Sequence, residues 1–193
     1  MSHKFDSKNK NNLFSEERIK VLPPEKILIE AGLLKDMAFA DIGCGNGYFT
    51  LSASEIIGEK GKVFAFDISD EMLADLRKRA EEKNRKNIET RKSSENSLPI
   101  VNEIADIAFA CNVIHEAKYP GLFIEEMKRI LKPSGKIAVI DWQKIESDKG
   151  PPKSDRIEKE LMIEMLEEKG FDYIELNPIS DNFYFITAMK AGQ

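Results

Sequence analysis

The chain is poor in the residues that build metal centres and disulfide frameworks. It holds two cysteines, Cys44 and Cys111, and two histidines, His3 and His115. Two thiols make no metal site by themselves, and the histidines lie far apart in sequence, so no bound metal is expected. The low cysteine content and the lack of an apolar secretory segment point to the cytoplasm. No apolar run is long enough to span a bilayer, which argues against stable membrane insertion. A dominant basic patch is missing too. The net charge is −5, and the lysines of Lys4 to Lys10 fall in an Asn-rich start read as a disordered tail over residues 1–12. A long nucleic-acid footprint is therefore not expected. What is plentiful is ordinary globular material: 41% hydrophobic and 33% charged residues in a chain of 193. That suits one domain, residues 13–193, around a sizeable core, as a monomer or homodimer.

The apolar pattern alternates between short β-like runs and amphipathic helical stretches. Strands are expected over Met37–Ile42, Lys62–Asp67, Ile88–Lys92, Ile104–Cys111 and Lys136–Asp141. Helices are expected over Tyr48–Ile57, Asp70–Lys83, Pro120–Leu131 and Ser154–Lys169. Such alternation gives a parallel, doubly wound sheet. Phe171–Leu176 and Phe183–Met189 follow without a helix between them, so the chain should close on an antiparallel hairpin. The segment from Lys144 to Lys153 reads as a mobile connection.

The richest local signal is Asp41-Ile42-Gly43-Cys44-Gly45-Asn46-Gly47, at the junction of the first strand and the next helix. Glycines at alternate positions let the backbone turn sharply and touch a ligand. The spacing is Gly-x-Gly-x-Gly, and Tyr48 stands where the dinucleotide fingerprint has its third glycine. Asp67 ends the second strand about twenty residues further on, the separation expected of an acid that grips ribose hydroxyls. Ser69 or Asp70 can cap the following helix, which leaves Asp67 free for that task.

Residues 40–48 resemble motif I of class I S-adenosylmethionine (SAM) dependent methyltransferases, and residues 64–73 resemble their second motif. Leu131-Lys132-Pro133-Ser134-Gly135-Lys136 is similar to the turn before their fifth strand. The resemblance is to the ubiquinone/menaquinone-biosynthesis-like branch and covers roughly residues 20–190. It implies a Rossmann-like, doubly wound seven-stranded sheet with a C-terminal antiparallel hairpin. It also implies SAM as cofactor, S-adenosylhomocysteine as product and methyl transfer to carbon, oxygen or sulfur of a small molecule. By the same resemblance Asp41, Gly43, Cys44, Gly45 and Gly47 carry the methionine portion, and Asn112 is a further cofactor-binding residue. Asp67 holds the ribose, Ile68 packs on adenine, and Ser94 with Glu95 meets the adenine amino group. The Asp/Asn-Pro-Pro-aromatic box of base methyltransferases is absent after the fourth strand. Related arsenite methyltransferases use more acceptor cysteines than this chain has.

Methyl transfer is an in-line displacement at an already activated sulfonium, so alignment is the main requirement. A base is needed only where the acceptor must lose a proton, and His115 suits that role because imidazole titrates near neutrality. Glu116, Tyr119 and Asp141 are weaker candidates, expected to be solvated or structural, and Trp142 is expected to close the core. Residues 13–32, with Phe14, Val21, Leu22, Ile27 and Leu28, are expected to form a helical lid above a floor of Asn112 to Tyr119. The alternative is that these helices pack on the outside of the sheet. Two other functions compete: a non-catalytic SAM-binding module and an NAD-dependent oxidoreductase.

Overall fold

The computed structural model describes residues 15–192; the tail read over residues 1–12 and Phe14 of the expected lid lie outside the described residues. Seven strands form one sheet in the order β3-β2-β1-β4-β5-β7-β6. They are β1 (Ala38–Ile42), β2 (Lys62–Asp67), β3 (Ile88–Lys92), β4 (Ala105–Cys111), β5 (Leu131–Trp142), β6 (Phe171–Leu176) and β7 (Phe183–Lys190). The first five run parallel. β7 enters antiparallel between β5 and β6, which closes the sheet with the expected hairpin.

Successive side chains on a strand face opposite ways, and the central strands use both faces. Phe39, Val63, Ile107, Phe109, Ile140 and Phe185 belong to one buried cluster. Their neighbours Ala40, Phe66, Ala108, Val139 and Ile186 belong to the other. The first cluster is covered by α2 (Pro24–Glu30) and α3 (Tyr48–Ile57), with α4 (Asp70–Glu82) packed beside α3 through Leu51, Leu73 and Leu76. The second is covered by α5 (Pro120–Ile130) and α6 (Lys159–Glu168) through Ile124, Met127, Met162 and Leu166.

Two boundaries and one placement differ from the sequence reading by more than a residue. β5 begins at Leu131, yet it advances five residues while β4 advances two between the pairs Ala105↔Leu131 and Ile107↔Lys136. The expected turn therefore survives as a bulge, with Ser134 at φ 59. α6 starts at Lys159 instead of Ser154, after a separate 3₁₀ turn at Lys153–Asp155, because Arg156 is extended and turned back into the preceding loop. Lastly, α2 does not roof the strand ends. Ile27 and Leu28 are buried against the sheet with Phe39, Phe49 and Phe185, since an apolar helix face gains most where it is fully covered.

Candidate active site

The strand order reverses between β1 and β4, and a cavity of about 960 Å³ opens at their carboxyl ends. This is where open α/β sheets bind ligands. Of the ten residues expected to hold cofactor, nine line it: Asp41, Gly43, Cys44, Gly45, Asp67, Ile68, Ser94, Glu95 and Asn112. Gly47 does not. It caps α3 at φ 95, and a Cβ there would lie 2.4 Å from Leu76 Cδ1, so its role is to let α4 approach the loop.

Asp67 anchors the glycine loop from β2. Its Oδ2 accepts the Gly45 N–H at 2.8 Å and its Oδ1 accepts the Ser69 N–H at 2.8 Å. Ser69 in turn caps α4 by accepting the Met72 N–H. Burial raises the Asp67 pKa above its ordinary value, and these amides work against the rise. A carboxylate has about four acceptor positions, so capacity remains for ligand hydroxyls. Asp41, beneath the loop, is fully buried and accepts the Thr50 hydroxyl at 2.5 Å. Burial pushes its pKa up to about 7.

Across the cavity, the end of β4 meets the end of β5. Cys111 pairs with Ile140, and the Asn112 N–H donates to the Ile140 carbonyl at 2.8 Å. This register brings His115 beside Asp141. His115 Nδ1 lies 2.6 Å from Asp141 Oδ1, the His115 N–H donates to Oδ2 at 3.2 Å, and the Trp142 N–H donates to Oδ1 at 2.8 Å. Both side chains are buried, at 4% and 1% exposure. Burial, the largest influence, pulls the His115 pKa down, but the hydrogen bond and charge of Asp141 outweigh it and the net shift is upward. Asp141 is thus no solvated group; it orients the imidazole. Tyr119 is half exposed and outside the cavity wall, covered by the Lys118 ammonium at 4.9 Å from its ring centroid.

The methyltransferase domain family matches residues 33–181. The chain is 34% identical to a SAM-dependent methyltransferase of Aquifex aeolicus, whose crystal structure superposes with a TM-score of 0.91 over 97% of this chain and 100% of that one. The chain belongs to the SAM-dependent methyltransferases. It is also 28% identical to demethylmenaquinone methyltransferase of Lactococcus lactis over 60% of this chain and 46% of that protein. With arsenite methyltransferase of Halobacterium salinarum it shares 23% identity over 79% of this chain and 42% of that protein. The chain spans less than half the length of these two curated relatives.

The cofactor of this methyltransferase is SAM, and the cavity suits it. Gly43 adopts φ 72, and a Cβ there would sit 2.6 Å from Val113 Cγ2, so the loop closes against the β4 end only as glycine. Both cysteines line the cavity. Burial raises the Cys44 thiol well above its ordinary pKa and lifts Cys111 to about 12, so both stay protonated and act as small apolar residues. Among the described residues no group of three or more His, Cys, Asp or Glu could hold a metal.

The remaining walls come from α1 (Glu16–Val21) and the loop after β5. Arg18 on α1 and Gly150 and Pro151 on the loop line the cavity, and Glu17 pairs with Lys149 across the gap. This loop is not the free connection that its composition suggests. Arg156, 3% exposed, donates to the carbonyls of Gln143, Ile145, Lys149 and Pro151 and to the Ser147 hydroxyl. Its guanidinium also lies 5.3 Å from the Trp142 ring centroid, and Gly150 packs on that ring. Arg156→Ala should unpin residues 143–151 and leave buried carbonyls unpaired, a loss of roughly 2–4 kcal/mol. Limited trypsin digestion should then cut the variant at Lys149 or Lys153 under conditions where the parent stays whole. Equal resistance in both would show that the staple does not hold the loop.

Proposed function

We propose that this methyltransferase moves the SAM methyl group to carbon or oxygen of a small organic acceptor that must lose a proton, with His115 as the base. The buried His115–Asp141 pair carries this reading. A carboxylate at Nδ1 fixes that nitrogen as the donor and leaves the Nε2 lone pair to take the acceptor's proton. As the methyl passes from sulfonium to acceptor, S-adenosylhomocysteine leaves neutral at sulfur, and Asp141 stabilises the imidazolium that forms. Asp67 holds the ribose, the glycine loop carries the methionine portion, and Ile68, Ser94 and Glu95 meet adenine. Glu95 Oε1 already accepts the Lys118 N–H, which fixes that wall to the segment after His115.

A phenol or hydroquinone fits this chemistry. Loss of a ring hydroxyl proton raises electron density on oxygen and on the adjoining ring carbon. The likeness to enzymes named for demethylmenaquinone supports the same acceptor class. Arsenite is disfavoured, because the chain's two cysteines are too few to replace the three hydroxyls of arsenite. A net charge of −5 supports a small molecule over nucleic acid, and no helix among the described residues is long and apolar enough to cross a membrane. The proposed setting is a cytoplasmic monomer or homodimer, with α1 and the loop over residues 143–151 as the roof of the cavity. A binding-only module gives the buried dyad no task, which favours the enzyme.

The test is S-adenosylhomocysteine release from SAM with a panel of phenols, hydroquinones, thioethers and tertiary amines. Release with the acidic acceptors is expected. Turnover confined to acceptors without a removable proton would overturn the base. NAD binding without SAM binding would overturn the site.

A further inference from the structure

Tyr184 on β7 carries a buried hydroxyl that the mechanism above leaves unused. The residue is 2% exposed, and its hydroxyl is buried without a hydrogen-bond partner among the described residues. A phenol in that position costs more than a phenylalanine would, because its O–H gives up water and gains nothing in return. The strand register identifies its neighbour. Tyr184 pairs with Asp141 across the antiparallel β5–β7 ladder, and directly opposed side chains stand on one face of the sheet, about 5 Å apart at Cβ. Val139 and Ile186, two places along on each strand, belong to the same buried cluster as Tyr184. The Asp141 charge reaches the Tyr184 hydroxyl and adds to the rise in pKa that burial causes, so the phenol stays protonated and serves as a donor.

Asp141 has room for such a donor. It accepts the His115 N–H, the Trp142 N–H and the His115 ring at Nδ1, which fill three of a carboxylate's roughly four acceptor positions. The other elements around Tyr184 offer the phenol no polar partner. α5 and α6 supply Ile124, Met127, Met162 and Leu166 to its cluster, all apolar. The carboxylates of Asp141, Glu116 and Asp155 act on His115, and of these Asp141 also acts on Tyr184. The Cys111 thiol, which feels Asp141 as well, is held protonated by burial. The Arg156 guanidinium over the Trp142 ring is taken up by the loop carbonyls.

We propose that Tyr184 is a positioning residue for methyl transfer: its hydroxyl donates through one bridging water to the remaining acceptor position of Asp141, and so tunes and steadies His115. This rests on His115 as the base and extends the pair to a chain of three groups. The bridge follows from reach, since a tyrosine hydroxyl stands further from its strand than a carboxylate does. A water held by two polar partners links them nearly as well as a direct bond. The effect has a definite sign. A donor on the carboxylate draws off negative charge, so Asp141 stabilises the imidazolium less and the base stays neutral down to a lower pH.

Titration of the His115 ring, followed by NMR, tests this without any acceptor. The chain has two histidines, so His3→Gln leaves one ring signal to follow. In that background Tyr184→Phe should raise the His115 midpoint by roughly half a unit to one unit. When Asp141→Asn is also present, the same Tyr184→Phe change should leave the midpoint where it is, because the route through the carboxylate is gone. The pH at which turnover is half-maximal should rise with the ring midpoint. An unchanged midpoint together with a raised melting temperature would overturn the proposal and make Tyr184 a core residue better served by Phe. A shift of equal size with and without the Asp141 carboxylate would overturn the route. A ring midpoint that moves while turnover does not follow would strike the base reading itself, and Tyr184's part in the reaction with it, a result distinct from the other two.

Discussion

Replacing His115 by alanine should lower turnover by roughly 10²- to 10⁴-fold and leave SAM affinity near the parent value, since proton transfer by a positioned base contributes about that much. The pH dependence gives the sharper reading. The base works only when neutral, so the rate should rise with pH through a midpoint above the ordinary imidazole value of 6.5, where the Asp141 pairing has moved it. Asp141→Asn removes the carboxylate charge and its charge-assisted hydrogen bond, the main effects that raise this midpoint, and leaves the burial that lowers it against the smaller charges of Glu116 and Asp155. The midpoint should therefore fall, and the plateau rate should drop because the ring loses its orientation. Stability runs the opposite way. A histidine with a raised folded pKa contributes fully below its unfolded value of about 6.5, and that contribution fades as pH climbs through the folded value. Thermal melts of the parent should show this fading, and melts of Asp141→Asn should not. A turnover for His115→Ala within threefold of the parent would remove the base from the mechanism.

Asp67→Ala should cost about 2 to 4 kcal/mol of SAM binding, on the order of thirtyfold to a thousandfold in affinity. Loss of the ribose contacts accounts for part of this. The rest follows from the loop, because Gly45 and Ser69 both donate to the carboxylate and would be left without it. Asp67→Asn should lie between, since its amide group cannot accept from both N–H groups. The loss should be equally large for 5′-methylthioadenosine, the same nucleoside thioether without the amino-acid end, because that ligand keeps the ribose. Calorimetric affinity within threefold of the parent would show that Asp67 does not hold the nucleoside.

The parts of this site that are local in sequence were legible there. The glycine spacing, Asp67 and the closing hairpin each follow from short stretches whose chemistry speaks for itself. Groups joined across the sheet were harder to see. His115 and Asp141 stand 26 residues apart, and what unites them is that β4 and β5 are neighbours with Cys111 opposite Ile140. The signal was present, since both lie just past the ends of strands that a doubly wound order sets side by side. Asp141 was read as solvated or structural, because one position cannot reveal which; its burial comes from the sheet. Arg18 left no trace in any motif; its position depends on how α1 sits over Tyr48. The loop after β5 was misread for a related reason. Its proline and lysine content suggests motion, while the residue that pins it, Arg156, lies beyond it in the chain. Gly47 fits the loop spacing yet serves helix packing, because Leu76 comes from a separate element.

The Arg156 staple bears on how such an enzyme can change its surface over generations. Four of its five hydrogen-bond acceptors are main-chain carbonyls, which every residue possesses whatever its side chain. The loop's path is thus written in backbone, with Gly150 the position most bound to its identity, at φ 87 against Trp142. Side chains at Lys144, Glu146, Asp148 and Lys149 can drift while the loop keeps its shape. One arginine separates the inheritance of the loop's path from the inheritance of its exposed side chains, so that surface can change without putting the fold at risk.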